Sequence, residues 1–298
     1  MSAGPTQRRA LDEGVLTARA SSAEAAFRVV SLVALLVPLA VLGVLLADAI
    51  HTGLPRLDRG FFVRFPSRHA REAGIFPALV GSLSLGALTA LFAVPVGVGA
   101  AIWLEEYARP GRLKALVELN LENLAGVPSI VYGLLGLEVF VRTLTFGRSL
   151  LAGASTLALL VLPMIILASR EALRAVPRSL REASVALGAD RWAMLRHVVL
   201  PASLGGIATG VVLALGRALG STAPLLTIGA LTYVAALPES VWSPFTALPV
   251  QIFHWAMRPQ REFQANASAA VVVLLALSLA ASAGALALRA RVERGREP

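Results

Sequence analysis

One cation stands in apolar company and frames the chemistry of this chain. Arg217 lies within SLGGIATGVVLALGRALGSTAPLLTIGA (residues 203–230), where a charge is costly and normally faces a protein interior or a water-filled path. On a helix its face is shared by Gly210 and Ala214 before it and by Gly220, Ser221 and Pro224 after it, at spacings of three, four and seven residues. A guanidinium offers paired N–H donors that match an oxyanion such as phosphate. The small residues suit either close packing of a second helix or the lining of a pathway. Two chemistries therefore fit. One is an anion passing Arg217, with Ser221, Gly220 and Ser129 along the same path. The other is an ion pair with Glu138, a second charge in an apolar run.

A second cluster is polar and lies just before that segment. Residues 177–201 read PRSLREASVALGADRWAMLRHVVLP. Pro177 suits a first helical turn, Gly188 a helix end and Asp190 an N-cap. The spacing predicts a short helix, a break at Gly188, a second short helix from about Asp190 and a stop at Pro201. Glu182, Ala183 and Ser184 form a small-residue surface that a partner's cleft accepts closely. An amphipathic connector is the plainer reading of the same letters.

A third stretch, NLENLAGVPSIVYGLLG (residues 120–136), interrupts an apolar run with Gly126, Pro128, Ser129 and Gly133. Gly-Val-Pro can open a helix locally, which a membrane permits only where the freed backbone is buried in protein or lines water. Ser129 and Tyr132 would then be hydrogen-bonding groups near a path; small-residue helix packing explains the same residues as well. Other chemistry is missing. The four histidines, at 51, 69, 197 and 254, lack ligand spacing, so no metal site is expected. The sequence has no G-x-x-x-x-G-K-[ST] phosphate loop, no HExxH and no nucleophile elbow, so no catalytic role is expected and any ATPase is another polypeptide.

The elements that must position these residues are membrane spans. Hydrophobic residues make up 56% of 298, charged ones only 15%, and mean hydropathy is +0.72. Such a chain cannot cover itself with polar surface in water, so its solvent is lipid. Six apolar runs, at about 27–47, 79–104 (broken by Pro95), 119–141, 150–169, 204–230 and 267–288, are each long enough to cross roughly 30 Å of hydrocarbon at about 1.5 Å per residue. This predicts an all-α membrane protein with one six-span domain over 27–288. Residues 1–26 read as a disordered tail, and residues 289–298 as a basic one. A cleaved signal ending near Ala47 competes for the first run, but the long polar segment before it argues against that. The net charge of +9 comes with no aromatic interleaving for stacking nucleic acid. Basic residues favour the side holding both termini and the 177–201 loop, which places them in the cytoplasm. Arg56, Arg59, Arg64, Arg68 and Arg71 in the first outer loop go against that bias. The absence of cysteine excludes disulfides and thiolate metal sites. In the last outer segment Trp242, Phe245, Phe253, Trp255 and Phe263 suit a membrane–water interface, with a short helix near 248–256.

Glu-Ala-Ser at 182–184, Gly188 and the closing Val198-Val199-Leu200-Pro201 resemble the EAA loop of ATP-binding-cassette importer permeases. NLAGVPSIVYGLLG, RALGSTAPLLTIGA, FPSRHAREAGIFPALVGS, WLEEYA and FTALPVQIFHWAMRPQREF extend the resemblance over nearly the whole chain, to the permeases of bacterial phosphate importers. The resemblance implies the six-helix type I (MetI-like) permease fold and a bacterial inner-membrane location. It implies a heterodimer with a second permease subunit, two ATPase subunits inside and a phosphate-binding protein outside. ATP would sit on those partners, and no cofactor on this chain. Glu182, Ala183, Ser184, Gly188 and Pro201 would couple to the ATPases. The family's intramembrane arginine falls on Arg217, while the glutamate expected at 221 is Ser221 here, which removes a negative charge beside the cation. A permease for another oxyanion or a phosphonate is the near alternative. An ion-coupled secondary transporter would call for acidic residues in broken spans and an internal repeat, and neither is evident.

Overall fold

The computed structural model describes residues 5–230 and 236–294. The described residues are helical throughout, with no strand among them. The chain divides after His51 into two units. The first is one helix, α1 (Pro5–Gly53), which runs on two residues past that division. The stretch read as a disordered tail is thus helical from Pro5. Its alanines, leucines, arginines and glutamates are good helix formers and extend the apolar span backwards.

After a 3-10 turn at Leu54–Arg56, the second unit forms α2 (Arg59–Val63). Helix α3 (Phe76–Ile102) then runs unbroken through Pro95 and widens into a π turn at Trp103–Tyr107. The third apolar run is not one straight span. It forms α4 (Arg112–Ala125) and α5 (Ser129–Gly136), with a π extension Leu137–Thr143, bent by 103°. Pro128 holds extended backbone before α5, as a proline that cannot donate requires.

Helix α6 (Leu150–Arg174) starts on Ser149, whose hydroxyl accepts from the Ala152 N–H at 3.2 Å. It runs five residues beyond the expected end and is the most buried helix of the unit. Then follow α7 (Arg178–Ala186) and α8 (Arg191–Met194), a π turn at Leu195–Val199, α9 (Leu200–Leu219) and α10 (Ala223–Ile228). The expected stop at Pro201 does not occur. The helix passes through it, and the widened π turn just before it relieves the clash a proline ring makes with the carbonyl four residues back. The fifth run instead breaks later, at Gly220–Thr222.

Helix α11 (Leu248–Ala256) falls where the short outer helix was expected, and α12 (Glu262–Arg294) completes the unit. The aromatic segment around α11 is less interfacial than its composition suggests. Phe245, Trp255 and Phe263 are buried in the core, and only Trp242 and Phe253 are exposed. Helix α12 continues through residues 289–294; the last four residues of the basic tail, Arg296 among them, lie outside the described residues, as do 231–235 of the outer segment.

Packing centres on α6, flanked by α3 and α9. Glycines let the backbones close up. A Cβ at Gly206 would stand 2.7 Å from the Ala172 Cβ, and one at Gly210 would collide with Ala168. These two contacts set an antiparallel register between α9 and α6. At the other end of the unit Phe61, Trp255 and Phe263 join Ile75 and Leu248 in a separate cluster. There Arg56 donates to Asn266 Oδ1 at 2.8 Å and to the carbonyls of Ala70, Arg71 and Ala73. One arginine of the unexpected outer set is therefore a structural clamp.

Candidate translocation and coupling sites

The register between α6 and α9 places Arg217. Gly206 opposes Ala172 and Gly210 opposes Ala168, so residue 217 lies level with about residue 161, next to the midpoint of α6. Helix α9 thus ends level with the middle of α6, its cation in the last turn, where the C-terminal dipole favours positive charge. The side chain leans back along the helix, as side chains do, and Nη1 reaches the Met164 Sδ at 3.3 Å. Ser221 donates its hydroxyl to the Arg217 carbonyl at 2.8 Å, closing the helix end, and Gly220 is the C-cap.

The anticipated ion pair with Glu138 is absent. Glu138 pairs with Arg142 at 2.9 Å, one turn along its own exposed helix face. No carboxylate pairs with Arg217 among the described residues. The guanidinium is exposed, held by a thioether, a weak acceptor.

Helix α5 packs on α10 beside this break. A Cβ at Gly133 would stand 2.7 Å from the Pro224 Cα and collide with Thr227. A Cβ at Gly136 would meet Thr156 of α6. These glycines serve close packing. Tyr132 is buried, and its hydroxyl donates to the Leu124 carbonyl at 2.7 Å, so it is spent on the bend and not left free. Ser129 opens α5 three residues earlier, half-buried, and no hydrogen bond joins it to Arg217. Arg217, Gly220 and Ser221 therefore share one corner, and Ser129 stands at the α4–α5 bend, at the start of the helix that packs on α10.

At the opposite end of α9 lies the 177–201 loop. Asp190 caps α8 as expected, accepting from the Ala193 N–H at 2.7 Å. Gly188 has a φ of +85°, the left-handed conformation that glycine adopts without a Cβ clash. Pro177 stands at the N-cap of α7, one position before the first turn. Glu182 and Ala183 are exposed, while Ser184 is buried and donates to the Arg181 carbonyl at 2.8 Å. Pro201 lies in the first turn of α9. Beside them the loop shows an apolar surface that its polar composition hid. Leu180, Val185 and Trp192 are exposed, and Leu187 is 89% exposed.

Sequence reasoning missed an ion-pair cluster under this loop. Arg170, 4% exposed, donates to Glu105 at 2.6 Å and to Glu118. Arg174 pairs with Glu105 at 2.9 Å and with Glu118 at 3.6 Å. Arg181 of α7 pairs with Glu106 and donates to the Leu173 carbonyl at 2.7 Å. The available signal was Glu105-Glu106 ending one apolar run and Arg170, Arg174 ending another, on what the topology makes the same side.

Residues 93–294 match the family described as binding-protein-dependent transport system inner membrane component. The chain is 34% identical over 215 residues to the probable ABC transporter permease protein YqgI of Bacillus subtilis, covering 72% of this chain and 73% of that protein. It is 35% identical over 230 residues to the phosphate transport system permease protein PstA of Yersinia pestis, covering 74% of each. It is 41% identical over 155 residues to PstA 1 of Mycobacterium tuberculosis (H37Rv), covering 52% of this chain and 50% of that one. Among solved structures, a chain of the inward-facing MetNI methionine ABC transporter matches with a TM-score of 0.56 at 22% identity, over 74% of this chain and 94% of that one. A chain of a bacterial alginate ABC transporter, in complex with its alginate pentasaccharide-bound periplasmic protein, matches with a TM-score of 0.61 at 16% identity, over 88% and 94%.

Proposed function

The chain belongs to the family of binding-protein-dependent transport system inner membrane components and is a permease of the PstA type, and from that premise we propose that it carries inorganic phosphate into the cell. The observation that carries the reading is Arg217, a guanidinium level with the middle of α6 and beside a helix break, with no carboxylate partner among the described residues. An unbalanced cation in hydrocarbon needs water or a counter-ion. A passing oxyanion supplies the counter-charge transiently, and Ser221 in place of an acidic residue leaves the guanidinium unneutralised. The naming of several relatives as phosphate transport permeases supports the choice of anion.

The chain works as one half of a permease pair, with both termini and α7 on the cytoplasmic side. ATP is bound and hydrolysed by two partner ATPases, and an exported binding protein delivers phosphate from outside. The exposed side chains of Leu180, Val185, Leu187 and Trp192, around Glu182 and Ala183, suit an ATPase cleft. Nucleotide-driven movement of that loop rocks the attached spans and alternates access to the path past Arg217. Gly188, where the chain turns from α7 to α8, and Pro201, at the head of α9, belong to the moving piece. A guanidinium does not by itself separate tetrahedral oxyanions, so the test is competitive. The reconstituted complex is expected to take up labelled phosphate only with ATP, and excess sulfate or molybdate is expected not to displace it. Uptake without an ATPase, or displacement by sulfate, would sink the reading.

A further inference from the structure

We infer that the Arg181–Glu106 pair is a transmission tie, a positioning pair that makes the permease spans follow α7; this rests on the coupling role proposed above. Helix α7 is bounded by a chain break at each end, Pro177 before it and the left-handed Gly188 after it. Only Ser184 of its residues is buried. A push on such a segment would be absorbed by its flanks unless something fastens it to the bundle. Arg181 does so twice, by its ion pair with Glu106 and by its 2.7 Å hydrogen bond to the Leu173 carbonyl in the last turn of α6.

The far side of the tie is rigid. Glu106 lies in the π turn that continues α3, next to Glu105. Glu105 is gripped by Arg170 and Arg174 of α6, and Arg170 also holds Glu118 of α4. One ionic knot thus joins the ends of α3, α4 and α6, and α7 is fastened to it through a single neighbouring carboxylate. The two side chains of the tie are 22% and 7% exposed, so water screens the pair weakly. Consecutive residues on a helix project about 100° apart, so the two glutamates serve different helices, Glu105 facing α6 and Glu106 facing α7. Arg170, buried between two carboxylates, is a fold element by contrast, since removing it strands charges in the interior.

The experiment compares phosphate transported per ATP hydrolysed in the reconstituted complex of this permease, its companion permease, ATPase and binding protein. The variants are Glu106→Gln, Arg181→Gln, Arg181→Lys and the exchange Glu106→Arg with Arg181→Glu. Expected is a roughly tenfold fall in transport per ATP for both Gln variants, with ATPase co-purification unchanged. Arg181→Lys and the exchange should recover a substantial part of it. Wild-type coupling in the Gln variants would overturn the tie, as would an exchange no better than its single components. Loss of assembly in the Gln variants that neither Arg181→Lys nor the exchange restores would also overturn it, because the pair would then serve folding. Failure of the wild-type complex to couple uptake to ATP would instead overturn the proposed function.

Discussion

Tyr132 donates its hydroxyl to the Leu124 carbonyl at 2.7 Å, and so spans the 103° bend between α4 and α5. The donor lies one turn into α5 and the acceptor in the last turn of α4. A helix end inside a membrane leaves carbonyls that lipid cannot satisfy, and here the Leu124 carbonyl accepts from both the Val127 N–H and the Tyr132 hydroxyl of the next helix. Tyr132→Phe removes this hydrogen bond while the Leu124 carbonyl keeps the Val127 N–H at 3.1 Å, so it is expected to cost about 0.5–1.5 kcal/mol. A detergent-solubilised thermal melt measures it, and a Tm equal to wild type would show that the bend is held by packing alone.

Arg217→Ala is expected to lower phosphate flux by roughly tenfold or more, the scale of a lost charge-assisted contact. Assembly should be unaffected, because among the described residues its side chain is held by Met164 and by no carboxylate. Arg217→Lys keeps the charge without the paired donors and should fall between the two. Initial uptake rates beside a co-purification assay separate flux from assembly.

At Gly188 the cost of a side chain is conformational, since nothing lies within 4 Å of a Cβ there while φ is +85°. Gly188→Val should strain the loop by about 1–2 kcal/mol or more and abolish uptake with the bundle still folded. Circular dichroism and uptake on the same preparation test this.

Gly133→Ala and Gly126→Ala make a matched contrast. The first drives a methyl toward the Pro224 Cα, 2.7 Å away, whereas the second finds nothing nearer than 3.5 Å. The expected loss is about 1–3 kcal/mol at 133 and under about 1 kcal/mol at 126, read as melting temperatures. Equal shifts would mean that α5 and α10 do not pack as tightly as described.

Burial, assisted by Arg258, holds the His254 imidazole below its ordinary value of 6.5. The unfolded chain therefore binds more protons than the folded one between the two values. The contribution is fully present above about pH 6.5 and is lost as pH falls below it, toward the folded value. Melting temperature should decline on acidification through that range, and His254→Asn should flatten the decline.

Much of the architecture could be read directly. Apolar runs locate spans because hydropathy sums along the chain, whatever the neighbours are. Asp190 and Gly188 were legible in the loop for a similar reason, since capping and left-handed backbone are decided within a few residues. Local rules failed where a tertiary contact outweighed them. Pro201 looked like a stop, yet a π turn carries the helix through it. Phe245 and Trp255 looked interfacial, yet helices packed around them bury both.

The sequence by itself determined that this is a multi-span permease, that it lacks a phosphate loop of its own, and that a cation interrupts its fifth apolar run. Only the tertiary structure decided what the charges meet. Glu138 turned to Arg142, leaving Arg217 without a carboxylate among the described residues. Arg170 and Arg181 found glutamates 65 and 75 positions away in the chain. Hydropathy and capping act over one or two turns, but ion pairing depends on which helix ends come together, and that is set by glycine-mediated packing across the bundle.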